Sequence, residues 1–278
     1  MSSQIFIAPK GAFDELDVWL WYRNIPLELE FLDLSQIEKE HFEHYYQEAG
    51  LLSTMKKGFF RQHYSETFSI AASFLLSRKR RNVTVLDIGA GTGTQSIFFA
   101  LQGTKVIALD MDPIALNILR KRKAFYEEKL GYTLDIEICE QNAFDFELTD
   151  DSKIDAIYSM FAFNMMQPSD KFIEKLFCYL ERDARLCILD GNNKSWLSYL
   201  VPSRRRPNVW SPQEFSDNLR RRHFRIINHH GGVSLPPVFW SLPILRNVSK
   251  FLDNRIKQSW LFSISHQIMA QLDLPNAK

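Results

Sequence analysis

The stretch VLDIGAGTG at residues 85–93 decides the fold. A short apolar run, VTVLDI at 83–88, ends in Gly89, Gly91 and Gly93, and a helical pattern starts at Thr94. Glycine at a strand-to-helix turn lets the chain bend tightly and lets a ligand approach the backbone, because no side chain stands in the way. Dinucleotide-binding domains use such a turn too, so the glycines alone do not select a ligand. Two neighbours do. The G-x-G-x-x-G fingerprint would place glycine at 94, where this chain has Thr94. Asp87 stands two residues before Gly89, and a carboxylate there repels a pyrophosphate but suits a cation.

Working outward, strand and helix patterns alternate in short steps from Val83 to about Asp190. The predicted strands are KVIALD (105–110), TLDIEIC (133–139), IDAIYSM (154–160) and ARLCILD (184–190). Helices are predicted over 94–101, from the Asp112-Pro113 cap to Gly131, and over about 170–181. Such alternation gives a doubly wound parallel sheet. Beyond 191 the pattern loosens. A helix opens at Ser211-Pro212, FRIINH (224–229) reads as a strand, and the last strand lies within 259–271. Residues 1–82 carry few strand signals. There Ser35-Gln36-Ile37-Glu38 has the form of a capping box, and a second helix is predicted over 65–79.

Further markers follow the strands. Asp110 ends the second strand, where a carboxylate can accept hydrogen bonds from both hydroxyls of a ribose, and Met111 beside it can cover a flat ring. Asn142-Ala143-Phe144 follows the third strand and offers an amide and an aromatic ring. Together these residues resemble the class I S-adenosylmethionine-dependent methyltransferases, in matching order and spacing over roughly residues 83–190. The resemblance implies a Rossmann-like α/β fold with a seven-stranded, mostly parallel sheet and an antiparallel last strand. It also implies S-adenosylmethionine as cofactor. Asp87 and the turn Gly89, Ala90, Gly91, Thr92 and Gly93 would hold its methionine part. Asp110 would hold the ribose, and Met111, Asn142, Ala143, Phe144 and Phe161 would surround the rest. Family members usually carry Asp where this chain has Asn142. The segment SMFAFNMMQP (159–168) occupies the place where such enzymes bring substrate to the methyl group, with Asn164 as a substrate contact. It lacks the N-P-P-Y of members that methylate amide or adenine nitrogens.

The domain expectation is a helical N-terminal cap over 1–82, closing over the cofactor, and a methyltransferase domain over 83–278. MKKGFFRQHYSE (55–66) is the expected hinge, because Gly58 interrupts two helical stretches. Should the acceptor be a hydroxyl, a general base is useful, and His63, His229 and His230 are the candidates. Tyr64, Asn193 and Trp196 are expected substrate contacts, although Asn192 and Asn193 also suit a plain turn. His41 and His44, three apart on one helix, have no third ligand beside them and read as a solvated face, so no metal is expected.

Composition narrows the function. Lys and Arg number 34 against 33 Asp and Glu, a balance that argues against a dedicated nucleic-acid binder. Arg-rich clusters at 78–81, 204–206 and 220–222 keep an RNA or protein acceptor open as an alternative, beside a catalytically silent cofactor-binding protein. The three cysteines form no C-x-x-C pair, which argues against a disulfide framework. No signal peptide and no apolar run of ~18 residues is visible, so a cytoplasmic protein without a transmembrane span is expected. The apolar segment 233–252 could lie on a membrane or cover an apolar substrate, and packing on the sheet is its simpler reading. With 22 Phe, 9 Tyr and 6 Trp, the chain suits an enclosed apolar acceptor site, and the main expectation is methylation of a small molecule.

Overall fold

The computed structural model describes residues 5–11, 13–49, 51–52, 57–77, 83–148, 153–196, 210–232, 234–235, 238–241, 243–256 and 263–274. The arginine runs at 78–81 and 204–206 lie outside these residues, as do residues 55 and 56 of the expected hinge.

Seven strands form one sheet in the order β3-β2-β1-β4-β5-β7-β6. They are β1 (Thr84–Ile88), β2 (Lys105–Asp110), β3 (Ile136–Glu140), β4 (Ile154–Met160), β5 (Leu180–Gly191), β6 (Phe224–Gly231) and β7 (Ser265–Leu272). The first five pair in parallel, and β7 runs antiparallel between β5 and β6. Every residue of β1 is buried, as a central strand covered on both faces requires. The chain order reverses between β1 and β4, so the carboxyl ends of β1 and β4 border a crevice where ligands of open α/β sheets bind.

The helices start where side chains can cap them. The Asp112 carboxylate accepts from the amides of Ile114 and Ala115, at 2.9 and 3.2 Å, at the head of α7 (Pro113–Leu130), and Gly131 closes that helix at a φ of 70°. Glu38 accepts from the Ser35 amide at 2.7 Å ahead of α3 (Gln36–Ala49). Ser211 and Glu214 form the reciprocal box of α9 (Pro212–Arg221). The other helices are α1 (Glu15–Tyr22), α2 (Asn24–Phe31), α4 (Lys57–Phe60), α5 (Glu66–Leu76), α6 (Thr94–Leu101), α8 (Ser169–Phe177), α10 (Val238–Ser241) and α11 (Pro243–Ile256). Gly58 falls inside α4, and a π-helical turn, Arg61–Ser65, joins α4 to α5. The described residues of segment 233–252 include α10 and most of α11. Among the described residues, no helix is long and apolar enough to cross a membrane.

The N-terminal helices share their core with the sheet. Trp21, Tyr22, Phe42, Tyr46, Phe60 and Phe68 belong to the same apolar cluster as Val85, Phe98, Phe99, Leu119 and Tyr158. Polar bonds fix the contact. The Trp21 indole donates to the Thr94 carbonyl at 3.1 Å, and Gln95 donates to the Tyr22 hydroxyl at 2.9 Å. Arg122 and Glu28, both wholly buried, form a two-pronged ion pair at 2.5 and 3.1 Å, and the Arg122 guanidinium also donates to the Thr92 carbonyl and Thr94 hydroxyl, each at 2.7 Å. A helix of the N-terminal segment is thereby tied to the glycine turn.

Candidate active site

A cavity of about 600 Å³ opens at the carboxyl ends of β1, β2 and β4. That volume lies within the ~300–1,000 Å³ of small-molecule sites. Gly89, Gly91, Thr92, Asp110, Met111, Asn142, Ala143, Phe144 and Phe161 all line it, so most of the expected cofactor residues meet on one wall. Met111 and Met165 are 69% and 65% exposed, and both turn apolar surface into it. Large apolar side chains exposed together in one concavity mark a binding surface. Among the described residues no Lys or Arg lines it, whereas Asp110 and Asp112 do.

Gly89, Gly91 and Gly93 all have positive φ, at 73°, 52° and 77°. Of the three, only Gly91, which lines the cavity, has open space where a Cβ would stand, with no other atom within 4 Å. The amides of the turn are largely committed within the protein. Gly89 and Ala90 donate to the Leu109 carbonyl at 2.8 and 3.1 Å, Gly93 to that of Ala90 at 2.9 Å, and Gly91 to the Asp110 carboxylate at 2.7 Å. The other Asp110 oxygen accepts from the Asp112 amide at 3.0 Å, which fixes the carboxylate at the cavity edge.

Asp87 lies beneath the turn, 2% exposed, where the Ser96 hydroxyl donates to it at 2.6 Å. Burial pushes its carboxyl up to about 7 against that hydrogen bond, with Asp110 adding to the rise. A buried acid held near neutrality is a site that a nearby cation would ionise. After β3, the Asn142 side-chain oxygen accepts from the Phe144 amide at 3.0 Å, and the Asp110 carbonyl accepts from Gln141 at 3.0 Å. The Asn142 amide nitrogen is left for a ligand. Phe161 follows β4 at a φ of 58°, uncommon for a bulky residue, and lines the cavity. Glycines shaped for close approach, an anchored carboxylate at the end of β2 and an anionic, partly apolar wall fit S-adenosylmethionine. They do not fit a pyrophosphate.

The other candidates lie around this cavity rather than on it. His63 and Tyr64 pack behind Phe161, with ring centroids 5.7 and 5.9 Å from it, and His63 is 3.4 Å from the Ser265 hydroxyl. Asn164 is buried next to the cavity-lining Phe161, Ala162 and Met165, and its backbone amide donates to the Asp190 carboxylate at 3.0 Å. Asn193 and Trp196 follow β5, and the Trp196 indole reaches the Ser234 carbonyl at 3.4 Å. His229 and His230 sit on β6, the edge strand far from the cavity, and are not among its lining residues. The His229 ring contacts the Ser216 hydroxyl at 2.9 Å, and burial pushes its ionisation down to about 4. Among the described residues, no group of three His, Cys, Asp or Glu is placed to hold a metal.

Sequence reasoning missed part of the wall. His41 and Tyr45, one turn apart on α3, line the cavity, and the His41 ring is 3.2 Å from the Asp112 carboxylate. Their i,i+4 spacing was the available signal, but it does not say which surface α3 crosses. Gln141, Gln167, Met160 and Met166 also line it.

A family profile described as "Methyltransferase domain" matches residues 79–229, more than half of the chain. The chain belongs to that family. By class it is an S-adenosylmethionine-dependent methyltransferase, with the strand order and the antiparallel β7 of the class I fold. One curated relative, from Methanosphaera stadtmanae, is a probable ribosomal RNA small subunit methyltransferase A, 36% identical over 87 residues. That match covers 31% of this chain and 29% of the relative, so the chain spans less than a third of the relative's length. Among solved structures, magnesium protoporphyrin IX methyltransferase from Synechocystis PCC 6803 with bound S-adenosylhomocysteine superposes with a TM-score of 0.57 at 15% identity, covering 84% of this chain and 94% of that one. Plantazolicin methyltransferase BpumL, in complex with a monoazolic desmethylPZN analogue and S-adenosylhomocysteine, gives 0.50 at 13% identity, covering 94% and 98%. At such identities the likeness is one of fold.

Proposed function

We propose that this protein transfers the methyl group of S-adenosylmethionine to a small, largely apolar acceptor. The observation that carries this reading is the cavity itself, where Asp110 and the glycine turn adjoin an apolar wall of Phe161, Met165 and Met166. When bound, the cofactor supplies an electrophilic methyl carbon on a sulfonium. Asp87 offsets its positive charge from beneath, and Asp110 orients the ribose through both hydroxyls. Thr92 and Ala90 shape the turn, Gly93 lets it pack on Leu119, and Asn142, Ala143 and Phe144 hold the adenine edge. Phe161 and Met165 exclude water around the reacting atoms and hold the acceptor in line, and such alignment can supply ~7–11 kcal/mol of the barrier. For a hydroxyl acceptor, His63 is the nearest of the expected bases to Phe161, and Tyr64, Asn164, Asn193 and Trp196 would bound the acceptor side. The names of the superposed enzymes, with a porphyrin and an azole-bearing acceptor, agree with a small-molecule substrate.

An RNA acceptor draws support from the archaeal relative. Against it, arginines of the 220–222 run are occupied. Arg220 pairs with Asp217 at 3.0 Å and Arg222 with Glu174 at 2.8 Å. The test is incubation with methyl-labelled cofactor and fractionated cell extract. Label is expected in the small-molecule fraction, absent with Asp110→Ala. Label confined to RNA, or acceptor binding that weakens steeply with salt, would overturn the small-acceptor reading.

A further inference from the structure

The methionine part of the cofactor ends in a carboxylate, which needs hydrogen-bond donors. The glycine turn has few to give, because the amides of Gly89, Ala90, Gly91 and Gly93 are bonded within the protein, and among the described residues no Lys or Arg lines the cavity. A donor stands on the opposite wall, and it belongs to the N-terminal segment. Helix α3 crosses the cavity with His41 and Tyr45 on one face, as residues four apart in a helix must be. His41 reaches Asp112, beyond the end of β2. Tyr45 lies toward the other end, its ring 4.9 Å from that of Tyr46, whose hydroxyl is 3.1 Å from the Thr92 hydroxyl. His41 therefore stands beside the end of β2, and Tyr45, one turn on, lines the same cavity with Asp87 and Asp110 within electrostatic reach. Tyr45 is 44% exposed, and no hydrogen bond from its hydroxyl to another described residue is formed.

Resting on the cofactor assignment above, we infer that Tyr45 donates a hydrogen bond to the carboxylate of the methionine part of S-adenosylmethionine, so that the N-terminal segment completes the cofactor site. Desolvation by the surrounding protein, with Tyr46, Tyr64, Asp87 and Asp110 nearby, pushes the Tyr45 phenol well above its usual range. The hydroxyl is therefore a donor at any working pH. A hydrogen bond to a charged group contributes ~1.5–3 kcal/mol, on the order of a 10–100-fold change in affinity.

Two ligands separate this contact from a general loss of the site. S-adenosylhomocysteine carries the amino-acid part, and 5′-methylthioadenosine lacks it. Both are titrated calorimetrically into the wild type, Tyr45→Phe and Asp110→Ala. The Tyr45→Phe variant keeps the ring and its packing, so an unchanged melting temperature reports an intact fold. It is expected to bind S-adenosylhomocysteine at least about tenfold more weakly, and methylthioadenosine within about twofold of wild type. Asp110→Ala is expected to weaken both ligands alike. Equal loss of both ligands in Tyr45→Phe, or loss of neither, overturns the inference while leaving the cofactor assignment in place. A wild type that binds neither ligand overturns both.

Discussion

A methyl group at position 89 or 93 has nowhere to go. A Cβ on Gly89 would stand 2.1 Å from the Ala162 Cβ, and one on Gly93 2.0 Å from a Leu119 methyl, both at positive φ. Gly91 has the conformation without the crowding, so Gly91→Ala is expected to lower stability by only about 1–2 kcal/mol. It should still weaken cofactor binding, because the new methyl enters the cleft side. Gly89→Ala and Gly93→Ala should lower the melting temperature further. Thermal melts and cofactor titrations of the three variants check this ordering, and wild-type affinity in Gly91→Ala would place the ligand elsewhere. Asp87 gives a pH signature. With its carboxyl near 7 in the free protein, a proton sits there at lower pH and a cationic ligand must displace it. Cofactor affinity is therefore expected to rise from pH 5 to 7, by at most about tenfold per unit, and then to level. The same raised value means that the folded state holds this proton more tightly than the unfolded chain. The group's contribution to stability thus falls as pH rises from about 4 to about 7. Asp87→Asn should flatten both profiles, and a flat wild-type binding curve would contradict the assignment. At this scale the glycines and Asp110 were legible because local backbone chemistry dictates them. His41 and Tyr45 were not, because only the packing of α3 decides what they face.

Among the elements, α2 and α7 are joined by the buried Glu28–Arg122 pair, which also holds the Thr92 carbonyl. Arg122→Met is expected to cost about 3–5 kcal/mol, because it strands the Glu28 carboxylate in the core. Adding Glu28→Gln should recover part of that loss in urea denaturation. Equal stability of the single and double variants would mean that the charge of Glu28 is met elsewhere. Nothing in the sequence marked Arg122 as buried, since within RKRK on α7 it reads as one more solvated charge. Element boundaries were legible where a side chain caps the backbone, as at Ser35, Asp112 and Ser211. They were not where tertiary bonds move them. β3 begins at Ile136 rather than 133, with the Leu134 amide bonded to the Glu127 carboxylate instead. β5 begins at Leu180, and its pairing with β4 shifts register between Ile154 and Ala156. The π-helical turn at Arg61–Ser65 departs from the 3.6-residue period on which the prediction of α5 rested.

For the whole molecule, the N-terminal aromatics bury themselves against α6 and α7 and line the cavity's rim through α3, which supports a cap that belongs to the site. We propose that this cap closes on the cofactor, as lids that exclude water do. Tryptic cleavage near Lys56 to Arg61 is then expected to slow when S-adenosylhomocysteine is added. Equal cutting with and without it would make the cap a fixed layer. The claim that everything else rests on is that this cleft holds S-adenosylmethionine through Asp110. Calorimetric titration of that ligand and of NAD into the wild type and Asp110→Ala tests it most directly. The prediction is saturable binding of S-adenosylmethionine, weakened at least about tenfold in the variant, with NAD binding far more weakly. Unchanged affinity in Asp110→Ala, or tighter binding of NAD than of the sulfonium ligand, would contradict it.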